Sequence, residues 1–328
     1  MTALSSVRKV PNFLILGPPK TGTTSLYFYL RQHPQIFMSP AKELTFFQYG
    51  GRQPIWGGPQ IPLGTRPAQL KSDGLLIDAN TADNIWWNAN PQTWDEYLSC
   101  FAGASPETAI GDATPMNFFN MTACENIRHY LPDARLICIL RQPVDRGFSQ
   151  FQNAVRTGAE PMKDFVAAYR DCARRRQENW HPFLAEYETH GYYVRYLSAY
   201  IDRFGWNQVR VYLYDDLRND PIALLQDIFR YLSVDPTFVP DVSRQYNQSL
   251  VARSSQVSRL LRRNTTAYRI LKRLLPIPMR RKLGGLFRTR ATLPPSVHGR
   301  LTAEYADEIR ELQKMIGRDL SAWLLERA

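Results

Sequence analysis

Cysteine is scarce in this chain: 328 residues carry four, Cys100, Cys124, Cys138 and Cys172, and no two stand in CxxC spacing. Neither a zinc ribbon nor a disulfide framework is therefore expected, and Cys138, inside an apolar run, reads as a small buried hydrophobe. No apolar run approaches the length of a membrane span, and MTALSSVRKVPNFLIL has too short an apolar stretch for a secretion signal. A cytoplasmic protein without a transmembrane segment is the expectation. Internal repeats and low-complexity tracts are lacking as well. What remains is an ordinary globular composition, 44% hydrophobic and 22% charged, able to bury a sizeable core. We expect one elaborated domain over residues 1–328, with a core from about 10 to 240 and a basic, helical part at 253–328 packed on it.

Acidic residues are missing from one place in particular. From Arg253 to Arg290 there are twelve Lys or Arg and no Asp or Glu, so this stretch accounts for the whole formal net charge of +11. Such a tract suits an anionic partner such as a nucleotide, an acidic glycan or a membrane surface, and equally suits a solvated helical face. Its LL and IL pairs alternate with cations as an interfacial helix would, so peripheral membrane contact through 253–290 is one reading. A wall of the site cleft is the preferred one, and no nucleic-acid partner is expected.

Asn12 to Leu16 is a short apolar run bounded by Pro11 and Gly17-Pro18-Pro19, which predicts a buried strand. Thr23 to Arg31 follows as a helix. Further strands are predicted at Thr108–Gly111, Arg135–Leu140 (RLICIL) and Val209–Tyr214. Helices are predicted at Asn120–Tyr130, Pro143–Thr157, Met162–Asn179, Tyr193–Phe204, Pro221–Leu232 and Thr302–Met315, with a short closing helix after Gly317. Strands alternating with helices predict an α/β fold with a central parallel sheet flanked by helices. Tyr49 to Ala109, rich in Gly, Pro, Asn and Trp, reads as an excursion whose Trp56, Trp86, Trp87 and Trp94 are candidates for a sugar-binding wall, against the plainer reading as core.

The segment Gly17-Pro-Pro-Lys20-Thr21-Gly22-Thr23-Thr24-Ser25 lies where a strand feeds a helix, so backbone N–H groups and the helix start can cradle an anion. Its glycines match the spacing of GxxxxGK[ST], but Thr23 stands at the lysine position and the lysine has moved to Lys20. A nucleotide-triphosphate enzyme also needs an acid at the end of a neighbouring strand to hold Mg²⁺. RLICIL ends in Arg141 instead. That cation favours a second phosphate, and Ser149, two turns into the next helix, can share it. A P-loop kinase or switch is thus the weaker alternative; a nucleotide with two separated phosphates, bound without metal, is the simpler one.

PKTGTTSL resembles the 5'-phosphosulfate loop of the sulfotransferases that use 3'-phosphoadenosine 5'-phosphosulfate (PAPS). RLICILRQPVDRGFSQF resembles their 3'-phosphate element. The likeness continues in KELTFF (42–47), GDATP (111–115), GYY (191–193), YDDL (214–217), FRYLSVD (229–235) and GRDLSAWL near the end, and is greatest to the heparan-sulfate-type and bacterial carbohydrate branch. The resemblance implies a P-loop-like three-layer fold and sulfuryl transfer from PAPS to a hydroxyl or amine, with a carbohydrate preferred over a small natural product or lipid. It implies that Lys20, Thr21, Gly22, Thr23, Thr24, Ser25, Arg141 and Ser149 bind PAPS, with Arg253 as a late-loop contact to the 3'-phosphate. It makes Lys20 the cation beside the leaving oxygen, Glu43 the base, and Lys42 a neighbour that orients the acceptor or lowers the energy of ionised Glu43. Asp112, expected just after a strand, is a second candidate carboxylate. Relatives often place Glu-Lys there, and Ala113 in this chain leaves that second lysine without a counterpart.

Overall fold

The computed structural model describes residues 9–50, 56–59, 86–87, 90–105, 107–244, 250–252, 288–290 and 292–325, with the side chains of 86–87, 250–252 and 288–290 left aside. The chain opens with β1 (Phe13–Gly17), α1 (Thr23–Leu30), β2 (Ile36–Met38), β3 (Ala41–Lys42) and α2 (Phe46–Tyr49). β4 (Trp86–Trp87), α3 (Trp94–Ser99) and β5 (Ala109–Ala113) follow, then a 3-10 turn at Pro115–Phe119, α4 (Met121–Tyr130), β6 (Arg135–Leu140) and α5 (Pro143–Thr157). Next come α6 (Phe165–Arg170), α7 (Cys172–Gln177), α8 (Pro182–Ala185), α9 (Val194–Phe204), β7 (Val209–Leu213), α10 (Tyr214–Asn219) and α11 (Pro221–Leu232). β8 (Leu250–Ala252) pairs antiparallel with β9 (Arg288–Arg290), and α12 (Pro295–Glu304), α13 (Ala306–Ile316) and α14 (Ser321–Leu324) close the chain.

The central sheet is parallel throughout, in the order β2-β5-β1-β6-β7. Alternate residues of its two middle strands serve opposite faces, as the two-residue period of a strand requires. Leu14, Leu16, Leu136, Cys138 and Leu140 join the core that α4, α5 and α9 cover. Phe13, Ile15, Ile137 and Ile139 join the core under α1 and α11. Both faces being covered explains why FLIL and LICIL are unbroken apolar runs. From β1 the chain moves toward β2, and from β6 toward β7, so the loops leaving these adjacent strands diverge. That makes the C-terminal ends of β1 and β6 the switch point where an open α/β sheet holds its ligand.

RLICIL and Pro143–Thr157 have the expected bounds. Pro143 stands at a first-turn position where its missing N–H costs nothing, and Gly158 ends the helix at φ 82°. Two expected helices are each divided. Met162–Asn179 becomes α6 and α7, which meet at Asp171, the residue that pairs with Arg174 and Arg175 on the second helix. The expected Thr302–Met315 begins earlier, at Pro295, and breaks at Tyr305, whose ring packs directly on Gly191, where a Cβ would lie 2.4 Å from it.

Candidate active site

The first wall of the site is the loop between β1 and α1. Gly17 has φ 104°, and a Cβ there would lie 2.5 Å from the carbonyl oxygen of Pro115. Gly22, the N-cap of α1, has φ 99°, and a Cβ there would lie 2.7 Å from Leu217. Only glycine meets both demands. Between them Thr21 is buried and donates its hydroxyl to the Pro18 carbonyl at 2.7 Å, so it shapes the loop from within. Thr23, Thr24 and Ser25 form the buried first turn of α1, at the positive end of its dipole.

Lys20 is half-buried at the loop's crest with φ 71°. Burial lowers its amine to about 7, reinforced by the fields of Arg156, Arg141 and Lys42 and opposed by Glu43. Arg141, one residue beyond β6, donates from Nη1 to the Lys20 carbonyl at 3.1 Å and lies over the Tyr214 ring at 4.7 Å. Tyr193 donates its hydroxyl to the Arg141 carbonyl at 2.8 Å. Ser149 is buried on α5 two turns past the end of β6. The two cationic elements expected from the sequence therefore stand side by side at the switch point, and a nucleotide can touch both.

The second wall starts from β3. Lys42 is fully buried and its ammonium meets the Glu43 carboxylate at 3.1 Å, while Glu43 keeps 28% of its side chain open. Glu43 has φ 66°, and its N–H donates to the Ala113 carbonyl at 3.0 Å. Of the four non-glycine residues with positive φ among the described residues, two are Lys20 and Glu43. Such backbone is strained and persists where the surroundings over-determine it, commonly at sites of chemistry.

Asp112 departs from its expected place. It lies inside β5 rather than after it, with no exposure. Thr114 donates to one of its oxygens at 2.8 Å and Tyr97 to the other at 3.3 Å. Burial raises its carboxyl to about 7, with those hydrogen bonds and the charge of Lys42 acting against the rise. A base near 7 suits proton transfer at neutral pH, but reach comes before pKa. Glu43 is partly open to solvent, whereas Asp112 is fully enclosed.

Three residues here escaped the sequence reading. Arg156 lies seven residues after Ser149 on α5, so helical spacing alone puts it on the same face. It is exposed, donates to Asn153 at 2.6 Å, and is the strongest charge acting on Lys20. Tyr193 and Tyr214 lie in the GYY and YDDL segments, whose purpose becomes visible only when both reach Arg141. YDDL also receives the chain's end: Arg318 pairs with Asp216 at 2.9 Å, and the Trp323 indole donates to Asp215 at 3.1 Å. Trp94 is no sugar wall, since it stacks on Tyr97 and Tyr130 beside the core. The side chains of Trp86 and Trp87, and Arg253 with most of the basic tract, fall outside the described residues.

A family model described as "Sulfotransferase family" matches residues 11–238. Among curated proteins, a bifunctional heparan sulfate N-deacetylase/N-sulfotransferase 2 of Bos taurus is 24% identical over 237 residues, covering 70% of this chain and 22% of that protein. The membrane-associated sulfotransferase kil1 of Dictyostelium discoideum is 28% identical over 147 residues, 45% of this chain and 24% of that protein. The chain thus spans about a quarter, or less, of the length of these curated relatives. Among solved structures, a sulfotransferase from Alicyclobacillus acidocaldarius superposes with a TM-score of 0.69 at 27% identity, covering 96% of this chain and 99% of that one.

Proposed function

The chain belongs to the sulfotransferase family, and from that premise we propose that it moves the sulfuryl group of PAPS onto a hydroxyl or amine of a carbohydrate. The observation that carries the PAPS reading is the contact between Arg141 and the Lys20 carbonyl at the switch point. It joins two cationic sites suited to two phosphates of one nucleotide. The donor set fits such a ligand: Lys20 is held down to about 7 by burial and then by neighbouring cations, an imbalance that a multiply charged anion would relieve. The relatives named for heparan sulfate support a carbohydrate acceptor.

When bound, PAPS supplies a sulfuryl group already attached to a good leaving phosphate. The first turn of α1, with Thr23, Thr24 and Ser25, holds the 5'-phosphate end. Arg141 and Ser149 hold the 3'-phosphate, with Tyr214 under the guanidinium and Tyr193 on its carbonyl keeping Arg141 in place. Lys20 puts positive charge beside the oxygen on which charge develops. Glu43 takes the proton of the acceptor as it attacks in line, and buried Lys42 fixes the carboxylate's direction. Asp112 serves as an interior partner of Lys42.

Transfer of radiolabelled sulfate from PAPS to a panel of oligosaccharides tests this directly. Lys20→Ala and Arg141→Ala should abolish transfer while circular dichroism reports a folded protein. Normal transfer by either variant would mean that the nucleotide site has been wrongly assigned.

A further inference from the structure

A cavity of about 60 Å³ is lined by Gln48, Tyr49, Trp56, Phe119, Asn120 and His190 among others, on elements that adjoin Glu43 and the phosphate loop in the chain or by contact. Two short elements carry its lining away from the chemistry. α2 begins three residues after Glu43 and brings Gln48 and Tyr49. The 3-10 turn, whose first residue Pro115 lies against Gly17 of the phosphate loop, brings Phe119. Gln48 and Asn117 tie the two together by an amide hydrogen bond of 3.1 Å. Gln48 is five residues beyond Glu43, and because residues 43–45 are not helical the chain sets only an upper bound of roughly 18 Å on its distance from the base.

The lining combines flat aromatic faces with amides and an imidazole. Trp56 is half-buried and packs edge-on against Tyr49 and His181. The His190 ring lies on Phe119 with centroids 3.7 Å apart and planes within 4°, so its direction is fixed. His190 is 3% exposed, and its Nδ1 has no protein hydrogen-bond partner. A buried polar atom left so is costly unless water or a ligand meets it. Burial, with Arg146, Arg195 and Arg176 nearby, keeps this imidazole neutral, so it has one donor and one acceptor nitrogen. The volume suits about two waters, or one small substituent, and not a whole ring.

We propose that this cavity is an acceptor subsite that receives an uncharged hydroxymethyl or acylamino group of a sugar unit next to the one being sulfated, with that unit's ring lying on Trp56. Aromatic faces take the apolar side of a pyranose, and the His190 Nδ1, which has no protein partner, takes its substituent with Gln48 and Asn120 alongside. A purely apolar acceptor would leave that nitrogen unpaired, which disfavours it. The inference rests on the carbohydrate reading above and goes beyond it by fixing where the neighbouring sugar unit goes.

Glucosamine oligomers of one, two and three units, which offer both hydroxyls and amines, test it with labelled PAPS. Two variants are compared with the parent: Trp56→Ala, which removes the aromatic face, and Met116→Trp, which fills the cavity from the half-buried Met116 on its lining. KM for the trimer should rise about tenfold in both, with kcat and the monomer's KM within about twofold of the parent. Calorimetry with adenosine 3',5'-bisphosphate reports separately on the nucleotide side of each variant. Equal effects on monomer and trimer, or none on either, would overturn the subsite while leaving the carbohydrate reading intact. If the parent protein sulfates none of these sugars, the carbohydrate reading fails and takes the subsite with it.

Discussion

Nucleotide binding should draw a proton onto Lys20, and this prediction follows from its surroundings alone. The amine stands at about 7 because burial, Arg156, Arg141 and Lys42 all disfavour its charge, with only Glu43 opposing them. A bisphosphorylated nucleotide beside it reverses that balance and returns the amine toward its ordinary range. Above pH 7 the free protein must then take up a proton on binding. The affinity for adenosine 3',5'-bisphosphate falls to about half its low-pH limit at pH 7, about a tenth at pH 8 and about a hundredth at pH 9. The ligand itself adds no slope there, since its phosphates have a second pKa near 6 and are fully ionised. Isothermal titration calorimetry in buffers of different ionisation enthalpy reads both quantities. Uptake should approach one proton at pH 8 and give way, near pH 6, to proton release from the ligand's own half-protonated phosphates. In Lys20→Arg, whose charge is permanent, the fall with pH should disappear. An affinity flat from pH 7 to 9, with no proton uptake, would refute the reasoning.

Other consequences are equally open to measurement. Glu43→Gln should lower kcat by about two to four orders of magnitude, with nucleotide affinity kept within about threefold in calorimetry; retained turnover would remove Glu43 as the base. Asp112, whose folded-state carboxyl is raised to about 7, binds more protons folded than unfolded between pH 4 and 7. Stability should therefore decline as pH rises through that window, on the order of 1 kcal/mol per unit, and level off above it; urea melts of Asp112→Asn should lack this decline. Arg175 and Glu160 form a fully buried ion pair at 2.7 Å, to which Tyr187 also donates. Glu160→Gln removes the buried half of that pair, leaving the guanidinium only Asp171 as a charged partner, and should cost about 3 kcal/mol in a denaturant midpoint, whereas a surface pair such as Arg310 with Asp307 should cost less than about 1 kcal/mol.

The parts of this molecule legible in its sequence are those fixed by neighbours close along the chain. FLIL and RLICIL announce buried parallel strands because both faces are apolar, and Pro143 and Gly158 mark the ends of α5 by their own backbone preferences. The phosphate loop is legible because two glycines and a lysine meet its geometry locally. Asp112 reads as a strand end because carboxylates are rare in buried strands; Thr114 and Tyr97, the latter from α3, override that preference. The break at Asp171 has no signal in the sequence around it, and the break at Tyr305 goes with packing on Gly191 more than a hundred residues away. Tyr193 and Tyr214 could not be assigned from spacing, since what unites them is Arg141 in three dimensions. Arg156 could have been found, because its seven-residue offset from Ser149 is helical arithmetic.

The strand order also governs how the protein comes into being on the ribosome. β1 is made first and finishes in the middle of the sheet, yet Asn12, just before it, bonds to Ile110 and Arg135, both about a hundred residues downstream. Until β5 has emerged FLIL has no neighbour to pair with, and until RLICIL follows it has only one, so a sticky apolar segment waits in the growing chain. Contacts so distant slow the search for the native state. Production of this protein should accordingly gain from lowered temperature or added chaperones, which protect the nascent chain during that wait.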